Sequence, residues 1–417
     1  MPRASPLWVK PMAEPQAFDV AVIGAGIAGS SLALALSGQG LRIALVEARP
    51  LPQSDLPAAI ELSSFDPRVS ALTPRSRNAL EQLGVWPAIA DYRPCAYHHM
   101  TVWDAEGTGA IDFDASEVDA SELGHIVENR SVIHALLQRV TSAPDITVLC
   151  PASLVAVERD DRECMVVTLQ DGTTLRADLI VAADGALSPV RELLGFATRE
   201  WDYGHRAIVT TVAVEQPHQH TAWQRFLPSG PLAFLPLPDG GEQHFCSIVW
   251  SLREDLVDDL LALEEPDFCR ELGAAIEHRL GAVLACGERY AFPLRQRHAV
   301  DYVQAGVALV GDAAHTIHPL AGQGINLGLL DVMVLAEEVL AACEAGGSPG
   351  TIETLRRYQR RRKGDNLLMM AAMDGFKRLF EQQAPPIRWL RNAGMRQVGR
   401  LLPVKRQIIR RAMGIGD

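Results

Sequence analysis

The sequence lacks the features that mark several protein classes. Its seven cysteines are scattered through 417 residues and never form a Cys-x-x-Cys pair. They predict reduced thiols, so neither a disulfide framework nor a zinc site is expected. The most apolar run, residues 20–36, is short for a membrane span and is interrupted by glycines. Residues 1–17 are rich in proline and have no apolar core, so we expect a loose tail and not a signal peptide.

Positive charge is scarce except near the C-terminus. The net charge of −12 argues against nucleic acid as a partner. Residues 356–411 nevertheless hold 16 Lys and Arg against three acids, so this segment is a basic appendage on an acidic body. Apolar residues from Ile387 to Leu402 recur on one face of a predicted helix. Such a segment docks on its own body, on a partner or on a membrane surface, and the first is the commonest.

A glycine motif near the N-terminus predicts a dinucleotide site. An apolar strand runs directly into Gly24-Ala-Gly26-Ile-Ala-Gly29, and a helix and a second strand lead from there to Glu47. Gly24 allows a tight turn, Gly26 lets the backbone approach a pyrophosphate, and Gly29 permits close packing of helix on strand. Glu47 stands where an acid binds the ribose of an adenosine.

Two later apolar strands also end at an acid beside a glycine. The strand after Asp178 ends at Asp184-Gly185, and the strand that begins at Val307 ends at Gly311-Asp312. Open α/β sheets bind ligands at the carboxyl ends of their strands. For Asp184, a turn that only caps the next helix explains the residues as well as ligand binding does.

A glycine-rich loop follows the last of these strands. His318 and Pro319 precede Gly322, Gly324 and Gly328. Glycines this dense let backbone amides approach a flat or anionic group. Taken alone, the stretch is explained equally well as a loop that caps the following helix.

The middle of the chain has a different pattern. Residues 207–252 read as apolar strands separated by proline and glycine turns, which predicts a mostly antiparallel sheet inserted into the nucleotide fold. Residues 256–284 read as helical, and so do residues 351–414.

Together the three strand-end motifs resemble those of the FAD-dependent aromatic hydroxylases of the p-hydroxybenzoate hydroxylase type, the class A flavin monooxygenases. The stretch from His318 to Asp331, His-Pro-Leu-Ala-Gly-Gln-Gly-Ile-Asn-Leu-Gly-Leu-Leu-Asp, is similar to the signature of the ubiquinone-biosynthesis hydroxylases. Residues 123–129 and 246–252 look most like the branch that hydroxylates 2-polyprenylphenol, which is the first hydroxylation of the ring.

The resemblance implies an α/β fold of the p-hydroxybenzoate hydroxylase type. It comprises a discontinuous Rossmann-like FAD-binding domain, an inserted, mostly antiparallel β-sheet substrate domain and a C-terminal helical segment. The implied parts are a flexible tail (1–17), the FAD-binding domain (18–95, 125–190 and 290–345), the substrate domain (96–124 and 191–289) and the basic C-terminal helical segment (346–417).

The resemblance also implies a set of site residues, with FAD as cofactor, NAD(P)H as reductant and no metal. Those implied to bind FAD are Gly24, Gly26, Gly29, Glu47, Arg68, Asn129, Asp184, Gly185, Gly311, Asp312, Pro319, Gly322, Gly324, Ile325 and Asn326. Those implied to act in catalysis are His318 and Gln323. The amides of residues 322–326 would lie beside the isoalloxazine, and Asp312 would bond the ribityl chain.

The implied activity is hydroxylation by O2 of the aromatic ring of a polyprenylated phenol in ubiquinone biosynthesis, through a flavin C4a-hydroperoxide. The favoured substrate is 2-polyprenylphenol. Another ring position of the same pathway and a soluble aromatic substrate are the alternatives. We expect a cytoplasmic protein associated peripherally with the inner membrane, as a homo-oligomer or within a ubiquinone-biosynthesis multi-enzyme complex. A non-catalytic prenyl-binding protein and a flavin reductase acting on a polyprenyl chain are rival functions on such a fold.

Overall fold

The computed structural model describes residues 15–52, 55–161, 164–316, 324–382 and 384–415, so most of the predicted tail lies outside it. The strands are β1 Gln16–Ile23, β2 Ile43–Val46, β3 Val69–Leu72, β4 Cys95–Tyr97, β5 His99–Asp104, β6 Ala110–Asp114, β7 Gly124–Glu128, β8 Ile146–Leu149, β9 Leu154–Arg159, β10 Met165–Leu169, β11 Thr174–Ala182, β12 Thr198–Val214, β13 Thr221–Leu227, β14 Gly230–Leu237, β15 Phe245–Arg253, β16 Val283–Cys286, β17 Tyr290–Ala299, β18 Val303–Gln304, β19 Val307–Leu309 and β20 His315–Thr316. The helices are α1 Ile27–Leu36, α2 Pro74–Gln82, α3 Trp86–Ala90, α4 Asn129–Ser142, α5 Pro189–Leu193, α6 Glu254–Ala262, α7 Glu265–Ala275, α8 Gly324–Glu344, α9 Ile352–Glu381, α10 Pro385–Arg400 and α11 Leu402–Ala412.

The first sheet is built on parallel strands. Its order is β18-β19-β11-β1-β2-β8, and every neighbouring pair from β19 to β8 is parallel. β2 and the second half of β1 are buried throughout, as expected for continuous apolar strands that are covered on both faces. Helix α1 packs against α4 and α8. The β9–β10 hairpin pairs with the first half of β11, beside β19.

The second sheet is mostly antiparallel. Its order is β20-β17-β12-β15-β14-β13-β5-β6, with β13 and β5 as its parallel pair and β16 beside β12. Residues on β14 alternate between two cores: Leu232 and Phe234 pack with residues of α6 and α7, whereas Ala233 and Leu235 pack with Phe65 and its neighbours. The small sheet β3-β7-β4 contributes to that second core, so it joins the two larger sheets.

Two predicted boundaries differ from the structure. β1 begins at Gln16, within the segment predicted as a tail. The helix predicted over residues 256–284 is instead the helices α6 and α7 followed by β16. Helix α7 ends at Ala275 because Glu277 and His278 take φ values of 58° and 50°, which end a right-handed helix. The domain boundaries given above remain predictions.

A buried ion pair holds the C-terminal helices on the second sheet. The guanidinium of Arg391 on α10 lies 2.7 Å from the carboxylate of Asp104 at the end of β5, and both side chains are 1% exposed. Asn392 donates to the same carboxylate and accepts from the amide of Gly109. Phe380 of α9 stacks on Phe226 of β13 at a centroid distance of 4.0 Å. None of the described helices is long and apolar enough to cross a membrane.

Replacing Arg391 with methionine should destabilise the protein by about 3–5 kcal/mol, because it leaves the Asp104 carboxylate buried without its cation. The matched control is Arg396→Met on the same helix, where the arginine is exposed and donates to Thr108. Urea unfolding measures both variants. A loss for Arg391→Met no larger than that for the control would contradict this account of how α10 is held.

A buried histidine makes the stability depend on pH. His218 is 1% exposed, its Nε2 lies 3.0 Å from the carbonyl of Leu237, and its Nδ1 accepts from the amide of His220. The neutral ring is therefore fully bonded, and a proton on Nδ1 would face a donor. Burial lowers the pKa of His218 from 6.5 to about 4.

Between pH 6.5 and 4 the unfolded chain binds a proton at His218 that the folded chain does not, so acidification through this window lowers stability. The loss from this group reaches about 3 kcal/mol at the acid end. We expect His218→Gln to lessen the fall in melting temperature across that range. The exposed His99→Gln serves as control. An unchanged slope in the His218 variant would refute the assignment.

Candidate functional site

Four parallel strands of the first sheet end side by side. Ile23 of β1 is in register with Val46 of β2 and with Ala182 of β11. Ala182 is in register with Leu309 of β19. The polar and glycine residues that follow these strand ends are therefore neighbours in space: Glu47, Gly24, Asp184, Gly185, Gly311 and Asp312. The fold thus brings the three motifs, which are far apart in sequence, to one edge of the sheet.

The three glycines after β1 have different physical reasons to be glycine. A Cβ at Gly24, where φ is +104°, would lie 2.4 Å from the carbonyl oxygen of Ala183. A Cβ at Gly29 would lie 1.8 Å from the carbonyl oxygen of Gly24. Gly26 has no such constraint, because a Cβ there would meet no atom within 4 Å. Packing explains the first and third glycines, and the second leaves the open space that a pyrophosphate would need.

The acids at this edge keep free acceptor positions. Glu47 accepts from the amides of Ala25 and Arg49, at 2.9 and 3.0 Å, which leaves lone pairs for ribose hydroxyls. Asp184 accepts from the amide of Val190 through one oxygen, while its other oxygen is buried and has no hydrogen-bond partner among the described residues. Burial raises the pKa of Asp184, partly offset by its hydrogen bonds to Ser188 and Val190. A hydroxyl or phosphate group of a ligand would pair that oxygen.

Asp312 is the acid after β19. The residue is exposed at the edge of the sheet. The protein around its carboxyl group nevertheless removes enough solvent to raise the pKa of Asp312. His315 and Arg68 oppose that shift through their charges. The predicted ligands Arg68 and Asp312 are thus electrostatic neighbours.

A second set of residues fixes the position of Arg68. Asp66 accepts from the amides of Arg68 and Arg130 and donates its own amide to the buried carboxylate of Glu128. Glu128 pairs with Arg93 at 2.5 Å. Asn129 donates its amide to the carbonyl of Arg68 and accepts from Ser70. Glu128 and Arg93 were not predicted from the sequence, because their partners lie in distant segments.

Asp331 of α8 is the most heavily bonded acid near the site. It is fully buried and accepts from the amide of Gly311 at 3.1 Å, from His315 Nε2 at 2.5 Å and from Arg362 Nε at 2.8 Å. Asn366 adds a fourth donor at 3.1 Å. Burial alone would raise the pKa of Asp331, but His315 and Arg362 bring it below its usual value. The carboxylate therefore stays charged and ties the loop after β19 to α9.

The glycine-rich loop lies partly outside the described residues, including His318, Pro319, Gly322 and Gln323. Gly324, Ile325 and Asn326 form the first turn of α8, whose amides have no acceptor within the helix. A Cβ at Gly324 would meet no atom within 4 Å. The side chain of Asn326 is buried and bonds the backbone of Thr73 and Ala71, so it joins α8 to the end of β3. Only the backbone of Asn326 remains for a ligand.

One group of side chains in the described residues has the ligand types of a metal site. The ligand atoms of Glu265, Cys269 and Cys286 lie within 4.8 Å of one another, between α7 and β16. Burial raises the pKa of Cys269 to about 12, so its thiol is protonated near neutral pH. The group lies on the second sheet and not at the strand ends. The expectation of no metal remains a prediction.

Comparison with known proteins decides the family. The sequence profile described as "FAD binding domain" matches residues 17–369. The 3-demethoxyubiquinol 3-hydroxylase of Escherichia coli K12 is 38% identical over 96% of this chain and 99% of its own length. The ubiquinone hydroxylase UbiL of Rhodospirillum rubrum is 38% identical over 95% of this chain and 89% of its own length. The ubiquinone biosynthesis monooxygenase COQ6 of Homo sapiens is 33% identical over 94% and 92%.

The chain belongs to the ubiquinone-biosynthesis hydroxylases. This hydroxylase is an FAD-dependent monooxygenase of class A, as the resemblance implied. The name of one relative states a ring position and the names of the other two state none, so the ring position on which this hydroxylase acts is a separate question.

Solved structures confirm the predicted fold class. PqsL of Pseudomonas aeruginosa, a probable FAD-dependent monooxygenase, superimposes with a TM-score of 0.76 at 24% identity, covering 92% of this chain and all of PqsL. HpxO of Klebsiella pneumoniae, solved with FAD and uric acid, gives a TM-score of 0.69 at 16% identity, covering 94% and 96%. The cofactor is FAD, and the strand-end edge fits it: Gly26 has open space, and Asp184 offers an unpaired oxygen.

Replacing Gly26 with alanine should weaken FAD binding by at least about tenfold while leaving the fold intact. The added methyl meets no protein atom, so it obstructs only the approach of the pyrophosphate. Gly364→Ala, whose Cβ is also unobstructed, is the control. Flavin fluorescence titration of the apoproteins gives the dissociation constants. Equal affinity in Gly26→Ala and parent would show that the pyrophosphate does not pass this glycine.

Proposed function

We propose that this hydroxylase uses FAD, O2 and NAD(P)H to hydroxylate the aromatic ring of a polyprenylated phenol, a precursor of ubiquinone. The observation that carries the proposal is the convergence of Gly26, Glu47, Asp184 and Asp312 on one sheet edge within a chain of this family. FAD, when bound, supplies the transfer of electrons and the activation of O2. The remaining steps are tasks of the protein: binding, orientation and exclusion of water.

In this proposal each strand end holds one part of FAD. Gly24, Gly26 and Gly29 shape the turn that receives the pyrophosphate at the N-terminus of α1. Glu47 accepts from the adenosine ribose, and Asp184 and Asp312 accept from hydroxyls nearer the flavin ring. The exposed guanidinium of Arg68 neutralises charge of the cofactor next to Asp312.

The N-terminus of α8 would stabilise the reduced flavin. Reduced flavin carries negative charge on its pyrimidine ring, and the amides of Gly324, Ile325 and Asn326, which have no acceptor within α8, would supply fixed donors to it. No acidic residue lies in the first turn of α8 to oppose that charge. The residues of the loop before α8, including His318 and Gln323, remain predicted catalytic residues.

Water must be kept from the reacting centre, and one side of the second sheet carries a packed apolar core that excludes it. Ala233, Leu235 and Leu237 of β14 are buried on the side that packs with Phe65 and Ile126 of the nucleotide half. These side chains already pack with one another. We propose that the substrate ring lies next to this dry core, because apolar surroundings suit an electron-rich phenol with a hydrocarbon tail and disfavour an aromatic acid.

For the ring position, we propose 2-polyprenylphenol as the substrate, on the resemblance of residues 123–129 and 246–252. A second candidate is the 3-position of a demethoxyubiquinol, because the relative in Escherichia coli that is 38% identical carries that name. The two candidates differ in the intermediate that accumulates when the enzyme is missing.

Mass spectrometry of the lipid extract from cells without this protein distinguishes the two positions. We expect 2-polyprenylphenol to accumulate and ubiquinone to fall. Accumulated demethoxyubiquinol would instead assign the 3-position. Unchanged ubiquinone together with no intermediate would contradict a role in the pathway. Reintroducing the parent gene is the control and should restore the parental lipid profile.

The reductant is tested with the purified protein. We expect a yellow protein whose oxidation of NADH or NADPH accelerates on adding a prenylphenol with a short, water-soluble tail, with a hydroxylated product. A protein that binds FAD but is reduced only by an added flavin reductase would point to a partner as the electron source. Oxidation of NAD(P)H without any hydroxylated product would contradict the hydroxylase proposal.

A further inference from the structure

The C-terminal helices carry most of the exposed large apolar side chains of the described residues. Seven exposed large apolar side chains are spread over the described residues before residue 367. The exposed large apolar side chains in residues 367–415 are Leu367, Leu368, Phe376, Leu379, Trp389, Leu390, Leu401, Leu402, Val404, Ile408 and Ile415. Single exposed apolar residues are ordinary, but a concentration of this kind marks a surface that is covered in use.

The apolar residues gather where α9 turns back into α10. Phe376 and Leu379 lie on the exposed side of the last turns of α9, and the exposed Leu368 lies about two turns earlier. Trp389 and Leu390, 68% and 65% exposed, lie on the first turns of α10. Only residues 382–384 separate the two helices. We call the exposed side chains of Leu368, Phe376, Leu379, Trp389 and Leu390 the hairpin tip.

The tip is held out from the body and does not fold back onto it. Arg391 and Asn392, next to Trp389 and Leu390, point inward to the buried carboxylate of Asp104. Because neighbouring helix positions face different directions, this anchor directs Trp389 and Leu390 away from the second sheet. On α9, Phe380 stacks on Phe226 of the second sheet, so the neighbouring Leu379 is directed away from that sheet.

The segment after α9 carries charge of one sign, whereas the acids Asp374 and Glu381 lie on α9 itself. Residues 382–415 contain eight Lys and Arg and no Asp or Glu. Five of these cations are exposed: Arg396, Arg400, Arg406, Arg410 and Arg411. No ion pair links any of the five to an acid within the described part of the chain. The surface therefore has free positive charge for an anionic partner.

We propose that the hairpin tip and these five arginines form the face by which the protein docks on an anionic lipid bilayer. The apolar side chains enter the boundary between headgroups and acyl chains, and the arginines contact the anionic headgroups. The proposal rests on the proposed function, since a polyprenylated substrate resides in the bilayer. Exposed Trp and Leu beside unpaired arginines suit a bilayer, which offers apolar depth and negative charge together.

One residue of the docking face, Leu368, lies on α9 near its contact with the start of α8. Met370 of α9 packs against Leu327, in the first turns of α8, and Met369 joins the same cluster. Leu368 and Leu367 lie on the same turns of α9 but face outward. Helix α9 therefore runs from its contact with α8 to the hairpin tip.

The test is co-sedimentation of the full FAD-loaded chain with vesicles of phosphatidylethanolamine and phosphatidylglycerol. The tip variant is Trp389→Ser/Leu390→Ser. Its matched control is Val155→Ser/Leu284→Ser, which removes two exposed apolar side chains elsewhere. We expect the tip variant to lose at least about tenfold in vesicle affinity and the control to match the parent. Tip and control variants binding vesicles equally well would overturn the proposal.

A second variant tests the electrostatic part. Arg406→Gln/Arg410→Gln/Arg411→Gln should weaken binding at low salt and flatten its dependence on salt, because fewer cations meet the headgroups. Equal binding of the parent to vesicles of phosphatidylcholine alone would contradict a role for these arginines.

Two further measurements separate a bilayer from a second copy of the chain, and the docking proposal from the proposed function. Sedimentation velocity shows whether the tip joins two copies: a parent dimer that becomes monomeric only in the tip variant would replace the bilayer by a second copy. Hydroxylation of the short-tailed prenylphenol should be the same in parent and tip variant. Vesicle binding without any hydroxylation would contradict the proposed function and leave the docking proposal intact.

Discussion

The buried carboxylate of Asp331 is the contact on which the rest of the site depends. It accepts from Gly311 at the end of β19, from His315 and from Arg362 on α9. A carboxylate buried this completely is tolerated only when cations and donors surround it, and here they come from three segments. Because one of the three is α9, the residues after β19 and the helix that leads to the proposed docking face share one anchor.

The sheet supplies the second constraint. Register places the ends of β2, β1, β11 and β19 beside one another, so glycines and acids from three motifs lie at one edge of the sheet. The sequence was enough to predict these motifs, since each follows an apolar strand. The structure adds the reason for two of the glycines, because a Cβ at Gly24 or Gly29 would meet nearby backbone. The mostly antiparallel second sheet was predictable for the same reason, from apolar runs between proline and glycine turns.

What could not be predicted are contacts between distant segments. An acid amid the apolar residues of α8 indicates that Asp331 needs a partner, but nothing in the sequence singles out Arg362 over its many neighbouring arginines. Asp104 and Arg391 are likewise 287 residues apart. The pattern of apolar residues did not predict the end of α7, because that end depends on the positive φ values of Glu277 and His278. Helical periodicity also left open what the basic segment contacts.

The most direct test of this account compares the FAD affinity of two variants that each disturb a buried ion pair. Asp331→Asn removes the buried carboxylate that binds Arg362 and the residues after β19, and Arg391→Met leaves Asp104 without its cation at the C-terminal helices. Both lose stability, so affinities are measured at a temperature where both are fully folded. The account predicts that the FAD dissociation constant rises at least about tenfold in Asp331→Asn and stays at the parent value in Arg391→Met. Equal affinities in the two variants would contradict it.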